Sequence, residues 1–417
     1  MLAVRWPEDT SDASCTVVKV VIYNEPAAGS IGGAEYSAVV LAQALAGMCD
    51  VEVVHHRPNF SREIEILFGE ELLSAALNRV VPEHPNPFPD SILPWRRYKR
   101  SRNWQRSLSD SCDIFINFAH YVPPFCHARQ GILMLLFPMF DCRSSWPRVN
   151  QNDGTVRASL RRCYSDWEWT KRLDTYQRKF ANSRFTSEWA SKRWGITCDV
   201  MYPPVDTSFP TMMKENLIVS VGRFNHQNGK KQKEMIGAFK ALLERAVKRW
   251  CYSSAGALGN TPVDQAYFTS LAEHCGRSMQ ITLIRDLPHK ELRQLLARAK
   301  IFWHAAGYSE QEDVHPELVE HFGIATVEAM AAGCVPIVYN AGGQKEIIQH
   351  AANGFLWRTL EELQEYTRIL TERDDLRADM SAAAIKRAKD FSINSYVGRF
   401  LDVLGPLLGR RKHDARR

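Results

Sequence analysis

Residues 320–340 read EHFGIATVEAMAAGCVPIVYN, with Glu320 and Glu328 eight positions apart. On one smooth helix, eight residues at about 100° each would leave the two side chains about 80° apart and about 12 Å along the axis. Gly323 also disfavours a continuous helix through the middle of the pair. The stretch therefore divides into three parts: a loop carrying Glu320, a helix over GIATVEAMAAG with Glu328 in its early turns, and a strand, CVPIVYN at 334–340. The two acids converge only if a ligand lies along that helix N-terminus.

The same alternation runs outward in both directions. LIVSVG (217–222), MQITLIRDL (279–287) and IFWHAA (301–306) are apolar strands between helical patterns. The clearest helix spans 233–250, where Met235, Ile236, Phe239, Leu242, Leu243, Ala246 and Val247 form a core-facing stripe. An earlier series comprises VVKVVIYN (17–24), VEVVHH (51–56), DIFINFA (113–119), ILMLLF (132–137), FANS (180–183) and CDVMYP (198–203). Continuous apolar runs of this kind indicate parallel sheets covered on both faces. PPVDTSFPTMMKEN (203–216) interrupts the rhythm and marks a boundary. The expected architecture is α/β, with two doubly wound Rossmann-like domains over 1–205 and 206–395, then a helix and basic tail over 396–417. Ligands of such domains sit at the C-terminal ends of strands, here the cleft between the domains.

The totals suit this reading. The chain has 417 residues, 45% hydrophobic and 24% charged, enough for two cores. A net charge of +6 is too mild to mark a nucleic-acid binder. Ten cysteines show no C-x-x-C pair or zinc-type spacing, as expected of reduced thiols in a cytoplasmic protein. The first fifteen residues lack a signal peptide's apolar core, and the longest apolar run, GILMLLFPMF, is about half a membrane span.

Four loops offer ligand-binding chemistry. In GSIGGAEY (29–36), Gly32 and Gly33 permit close backbone approach ahead of a helix N-terminus, although the spacing is not a dinucleotide fingerprint and a plain tight turn fits as well. In VGRFNHQNGKKQ (221–232), Arg223, Lys230 and Lys231 gather at a strand end, suiting a diphosphate or simply a solvated basic loop. The helix N-terminus at 323–326 would offer free backbone N–H groups to a phosphate or sugar oxygen, with Glu328 as acceptor for vicinal hydroxyls, unless Glu328 caps locally and Glu320 is solvated. AGGQKEI (341–347) is most simply a strand-to-helix turn.

Taken together, the order of these features resembles the retaining glycosyltransferases of family 4, the group 1 glycosyltransferases of GT-B fold. The resemblance rests on the GG loop, FANSRFTSEW, VMYPPVD, VGRF…KK, the E-x7-E block with AGGQKEI, and NGFLW. HFGI..VEAMAAG..P is also similar to the mannosyltransferase branch that extends lipid-linked oligosaccharides. The resemblance implies an enzyme that takes a UDP- or GDP-linked sugar as donor, with no cofactor and no metal. It assigns Arg223 and Lys230, with Lys231 a close second, to the diphosphate. Glu328 is assigned to the ribose, and Glu320 to the transferred sugar with backbone contacts from Phe322, Gly323 and Ile324. Leu287 would flank the base, and Gly33 would close over the diphosphate. Pro138 stands where many members carry a histidine near the sugar's primary hydroxyl, and His120 is the candidate to enter the same cleft.

PWRRYKRSRNWQR (94–106) places six basic residues and three aromatics on the expected acceptor side. It suits an anionic membrane, a phosphorylated acceptor, or an ordinary solvated helix. The expected function is transfer to a glycan or lipid-linked acceptor in cell-surface polysaccharide or glycoconjugate biosynthesis, in the cytoplasm or at the inner face of the membrane. The alternatives are a sugar-nucleotide epimerase on the same frame and a non-catalytic protein holding anionic polymer or membrane.

Overall fold

The computed structural model describes residues 17–24, 32–68, 77–82, 95–140, 156–227, 229–245 and 247–409. Seven strands make the first sheet: β1 (Lys19–Asn24), β2 (Asp50–His55), β3 (Leu77–Val80), β4 (Ile114–Ala119), β5 (Gln130–Leu135), β6 (Arg178–Ala181) and β7 (Asp199–Val200). Six make the second: β8 (Glu215–Val221), β9 (Cys251–Gly256), β10 (Ile281–Arg285), β11 (Ala299–His304), β12 (Val335–Tyr339) and β13 (Phe355–Trp357). Their orders are β3-β2-β1-β4-β5-β6-β7 and β10-β9-β8-β11-β12-β13. All strand pairs are parallel. In each sheet the winding reverses beside the first strand, β1 or β8, which opens a crevice at that strand's C-terminal end. The loops bearing Gly32–Gly33 and Arg223 follow those two strands.

β3, β9 and β13 escaped the hydrophobic reading. β9, CYSSAG, is half polar, and its Ser254 and Tyr252 find partners inside the fold: Ser254 Oγ lies 3.1 Å from Ser220 Oγ, which also meets Tyr252 Oη at 2.7 Å. The helix expected over 233–250 runs from Gln232 to Arg245. Met235, Ile236, Phe239 and Leu242 are buried as the stripe requires. Val247 is buried too, but beyond the helix end, where its N–H donates to Leu242 O at 3.2 Å.

The final helix, Ile393–Gly409, returns to the first sheet: Tyr396, Phe400 and Leu404 share one core with Val20, Ile22 and Val39. The C-terminal helix, set apart from both domains in the sequence, thus completes the core of the first. Residues 410–417, the basic tail, lie outside the described residues. No helix among the described residues is long and apolar enough to cross a membrane.

One side of the inter-sheet cleft is tied across the domains. Ser183 caps the helix Arg184–Trp194 by accepting from Thr186 N at 3.0 Å, and Gly195, in the left-handed region, ends it. The leftover N–H groups of Arg184 and Phe185 both donate to the Glu346 carboxylate at 2.9 Å, as does Tyr202 Oη. Arg193 also pairs with Glu317 at 2.7 Å. A carboxylate at a helix N-terminus meets both its free donors and its dipole.

Candidate active site

The site is built where β8, β11 and the helix Ile324–Ala331 end or begin. Gly222 packs directly on Lys230, since a Cβ there would lie 2.6 Å from Lys230 Cγ. That approach folds the loop back, and Gln232 Nε2 pins it by donating to Arg223 O at 2.9 Å. Lys230 Nζ then reaches Glu320 Oε2 at 2.5 Å. Lys231, in a left-handed conformation (φ 55°), turns the other way and pairs with Glu310 at 2.7 Å. Its side chain is 11% exposed against 34% for Lys230. The two lysines thus part: Lys230 faces Glu320 in the cleft, and Lys231 is engaged by Glu310 of a neighbouring loop.

Glu320 receives a second bond, from His304 Nε2 at 3.0 Å. Burial alone would raise its pKa, but the charge of Lys230 and the hydrogen bond from His304 outweigh that cost and hold it well below the carboxylate range. Glu328 is treated in the opposite way. Burial raises it to about 7, nearby Asp206 adds to the rise, and Arg293 only partly offsets them. Arg293 spends its charge on Asp206, 2.9 Å away. Gly323 starts the helix between the two acids at φ 120°, a conformation that favours glycine. A Cβ there would also strike Gln344 Nε2 at 2.7 Å.

The first domain approaches closely. A Cβ on Gly33 would lie 2.3 Å from Ile324 Cδ1, and one on Gly32 would lie 2.8 Å from Arg223 Nη2. The two glycines thus face the helix N-terminus and the arginine across the cleft, while residues 29–31 of the same loop lie outside the described residues. Gly32 N–H is held by Glu35 Oε2 at 2.8 Å, and Glu35 also lies in the field of Arg223. Tyr36, one turn further, lies near Glu328 and Asp206.

The remaining sequence candidates divide. Phe322 buries its side chain against Tyr202 and Phe391, leaving only its backbone to the cleft. Leu287 is half-buried ahead of the helix His289–Arg298, following Asp286 at φ 52°. His120 directly follows β4, and burial lowers it to about 4. Its carbonyl accepts from Met139 N at 3.3 Å, which places it beside Pro138. His321 lies close to His120, is lowered to about 4 chiefly by burial, and stacks on Phe137 at 3.8 Å and 2°. The cleft wall around Pro138 therefore carries two neutral imidazoles.

His304, His321, Gln344, Glu310 and Glu346 were not singled out from the sequence. His304 left a trace there, as the one ionisable side chain at the C-terminal end of an apolar strand, IFWHAA. The others act through partners remote in the chain. Of PWRRYKRSRNWQR, Pro94 and the first side chains fall outside the described residues; Lys99, Arg100 and Arg106 are exposed on the helix Trp95–Ser109. Among the described residues no group of three or more His, Cys, Asp or Glu is arranged to hold a metal ion.

Two Rossmann-like domains meeting across such a cleft make the GT-B fold. Residues 207–387 match the family described as glycosyl transferases group 1. HepE of Anabaena, solved in complex with UDP, superposes with a TM-score of 0.65 over 93% of this chain and 100% of its own, at 15% identity, a likeness of fold. Among curated proteins, the Dictyostelium discoideum GDP-Man:Man(3)GlcNAc(2)-PP-Dol alpha-1,2-mannosyltransferase is 25% identical over 234 residues, 52% of this chain and 44% of that protein. The Homo sapiens protein of the same name is 27% identical over 247 residues, 54% of this chain and 48% of its own length. The chain therefore matches about half the length of these curated relatives.

Proposed function

We propose that this chain is a retaining, metal-independent glycosyltransferase that moves a hexosyl group from a UDP- or GDP-linked sugar to a glycan or lipid-linked acceptor. The observation that carries the reading is the contrast between Glu320 and Glu328 on either side of a free helix N-terminus, with Arg223 and Lys230 ahead of them. As the bond from anomeric carbon to diphosphate breaks, negative charge grows on the phosphates and positive charge on the sugar. Arg223, Lys230 and the N–H groups of the helix start answer the first, and ionised Glu320 the second. Glu328 accepts from the ribose hydroxyls, and Gly32–Gly33 brings backbone to the diphosphate from the other domain. The acceptor hydroxyl attacks the face that the diphosphate leaves and passes its proton to the departing phosphate oxygen. No second carboxylate is then needed as nucleophile.

The names of the curated relatives favour a GDP-linked mannosyl donor and a lipid-linked acceptor. The exposed Lys99, Arg100 and Arg106 suit an anionic acceptor or its membrane, at the inner face. The test is the rise in Tm with UDP-, GDP-, ADP- and dTDP-sugars, followed by product analysis with and without acceptor lipid. Stabilisation by one sugar nucleotide, and a product of unchanged anomeric configuration, is expected. An epimerised donor formed with no acceptor would replace the reading by a sugar-nucleotide epimerase, and no stabilisation by any of the panel would end it.

A further inference from the structure

Glu320 is held by a buried chain of side chains. His304, 4% exposed, presents Nε2 to Glu320 Oε2 at 3.0 Å and Nδ1 to Gln344 Nε2 at 3.4 Å. Gln344 is fully buried, and the same Nε2 donates to Thr326 Oγ1 at 3.0 Å. The backbone joins the arrangement: Gly343 N donates to Glu320 O at 2.8 Å, and Trp357 Nε1 donates to His304 O at 3.2 Å. Gly342 and Gly343 leave no room for a Cβ, which would lie 2.1 Å from Glu320 O or 2.4 Å from His321 O. The glycine turn that reads as a plain connection therefore clamps the acid.

The amide orientation follows from the acid. Turning the Gln344 amide over would set its oxygen against His304 Nδ1, so Nδ1 would carry the proton of a neutral ring. The bare lone pair of Nε2 would then face an ionised carboxylate, a repulsion in a site of low dielectric. With the amide N–H on Nδ1, the proton sits on Nε2 and donates to Glu320. The arrangement leaves Gln344 Oε1 without a partner, and turning the amide over would leave its nitrogen so instead. The carboxylate decides between them. Burial disfavours the imidazolium, which agrees with a neutral ring of fixed tautomer.

We propose that His304 and Gln344 are positioning residues for Glu320: Gln344 fixes the Nε2–H tautomer of His304, and His304 keeps the carboxylate aimed after Lys230 leaves it. The inference rests on the reading above, because a diphosphate in the cleft competes with Glu320 for Lys230. Without His304 the acid would then lose both side-chain donors at the moment it is needed. This gives Lys230 two positions in a cycle and Glu320 one.

The decisive measurement is long-range 1H–15N NMR of the full chain with 15N-histidine, His304 being assigned by its loss in His304→Gln. The expected signature is the Nε2–H tautomer at pH 7, kept in Lys230→Ala and lost in Gln344→Glu. An Nδ1–H tautomer or an imidazolium in the parent protein would overturn the proposal. This readout needs no turnover, so it stands apart from failure of the glycosyltransferase reading. Kinetically, His304→Ala is expected to lower kcat by about 10- to 100-fold, the size seen when a functional ligand loses an outer partner, with donor KM little changed. His304→Gln, which retains an N–H donor, is expected to recover part of that loss. Equal falls in the two variants, or a fall expressed in KM alone, would sink the positioning role.

Discussion

Glu320 and Glu328 flank one turn of helix start, yet their surroundings drive them in opposite directions. Glu320 has a lysine at 2.5 Å and a histidine at 3.0 Å, and stays ionised well below the usual range. Glu328 has neighbours of both signs, Arg293 and Asp206, and burial lifts it to about 7 against the arginine's pull. The same residue type is thus a fixed charge at one end of the cleft and a titrating group at the other. Under the proposed function the contrast fits the two tasks, since a stabiliser of a developing cation must be charged at all working pH, whereas a group that accepts from hydroxyls gains its partners only when ligand arrives.

The sharpest break in this contrast comes from neutralising the fixed charge. Glu320→Gln is expected to lower kcat by about 10²- to 10³-fold, the scale of losing one electrostatic stabiliser, with donor affinity changed far less. Single-turnover rates alongside donor titration measure the two separately, and a loss confined to donor affinity would merge the roles of the two acids. Glu328→Ala should do the reverse, weakening donor binding about 10- to 100-fold, as expected for lost charge-assisted hydrogen bonds. Calorimetric titration with the sugar nucleotide identified by thermal shift checks it, and unchanged affinity would remove Glu328 from the ribose.

The smallest effect has a sign that differs between the two residues. A folded pKa raised from 4.5 to about 7 means that the folded state binds more protons than the unfolded one between those values. Glu328 therefore destabilises progressively as pH rises through that window, and its effect is complete above pH 7. Glu328→Gln should be more stable than the parent protein at pH 8 by about 1–2 kcal/mol, after allowance for its partial exposure, and equal to it near pH 4. Glu320, depressed instead, contributes stability that is present above its unfolded pKa and is lost as pH falls through the folded value. Glu320→Gln should accordingly be less stable at pH 8, with the gap closing in acid. Urea melts of both variants at pH 4 and 8 test the pair, and the same sign for both would break the contrast.

Much of the frame was legible because its signals are local. Apolar runs such as VVKVVIYN and LIVSVG became β1 and β8, and the split of EHFGIATVE into loop and helix start followed from Gly323. β9 was hidden because Ser220, Tyr252 and Ser254 satisfy one another inside the sheet, a pairing no hydrophobic pattern expresses. The docking of the last helix onto the first core was hidden because an amphipathic face does not specify its partner.

At the site, residue types and order alone set out the inventory of Arg223, two lysines, two glutamates and two glycines, since strand ends and helix starts dictate where loops carry chemistry. Which lysine meets Glu320, that His304 and Gln344 stand behind it, and that its neighbour Glu328 is the one that titrates were decided only in three dimensions. Those outcomes depend on distances between residues such as Lys230 and Glu320 that are far apart in sequence, and on the desolvation that packing imposes. Charge and burial act through space, so a chain written in one dimension names the groups and leaves the fold to set their state.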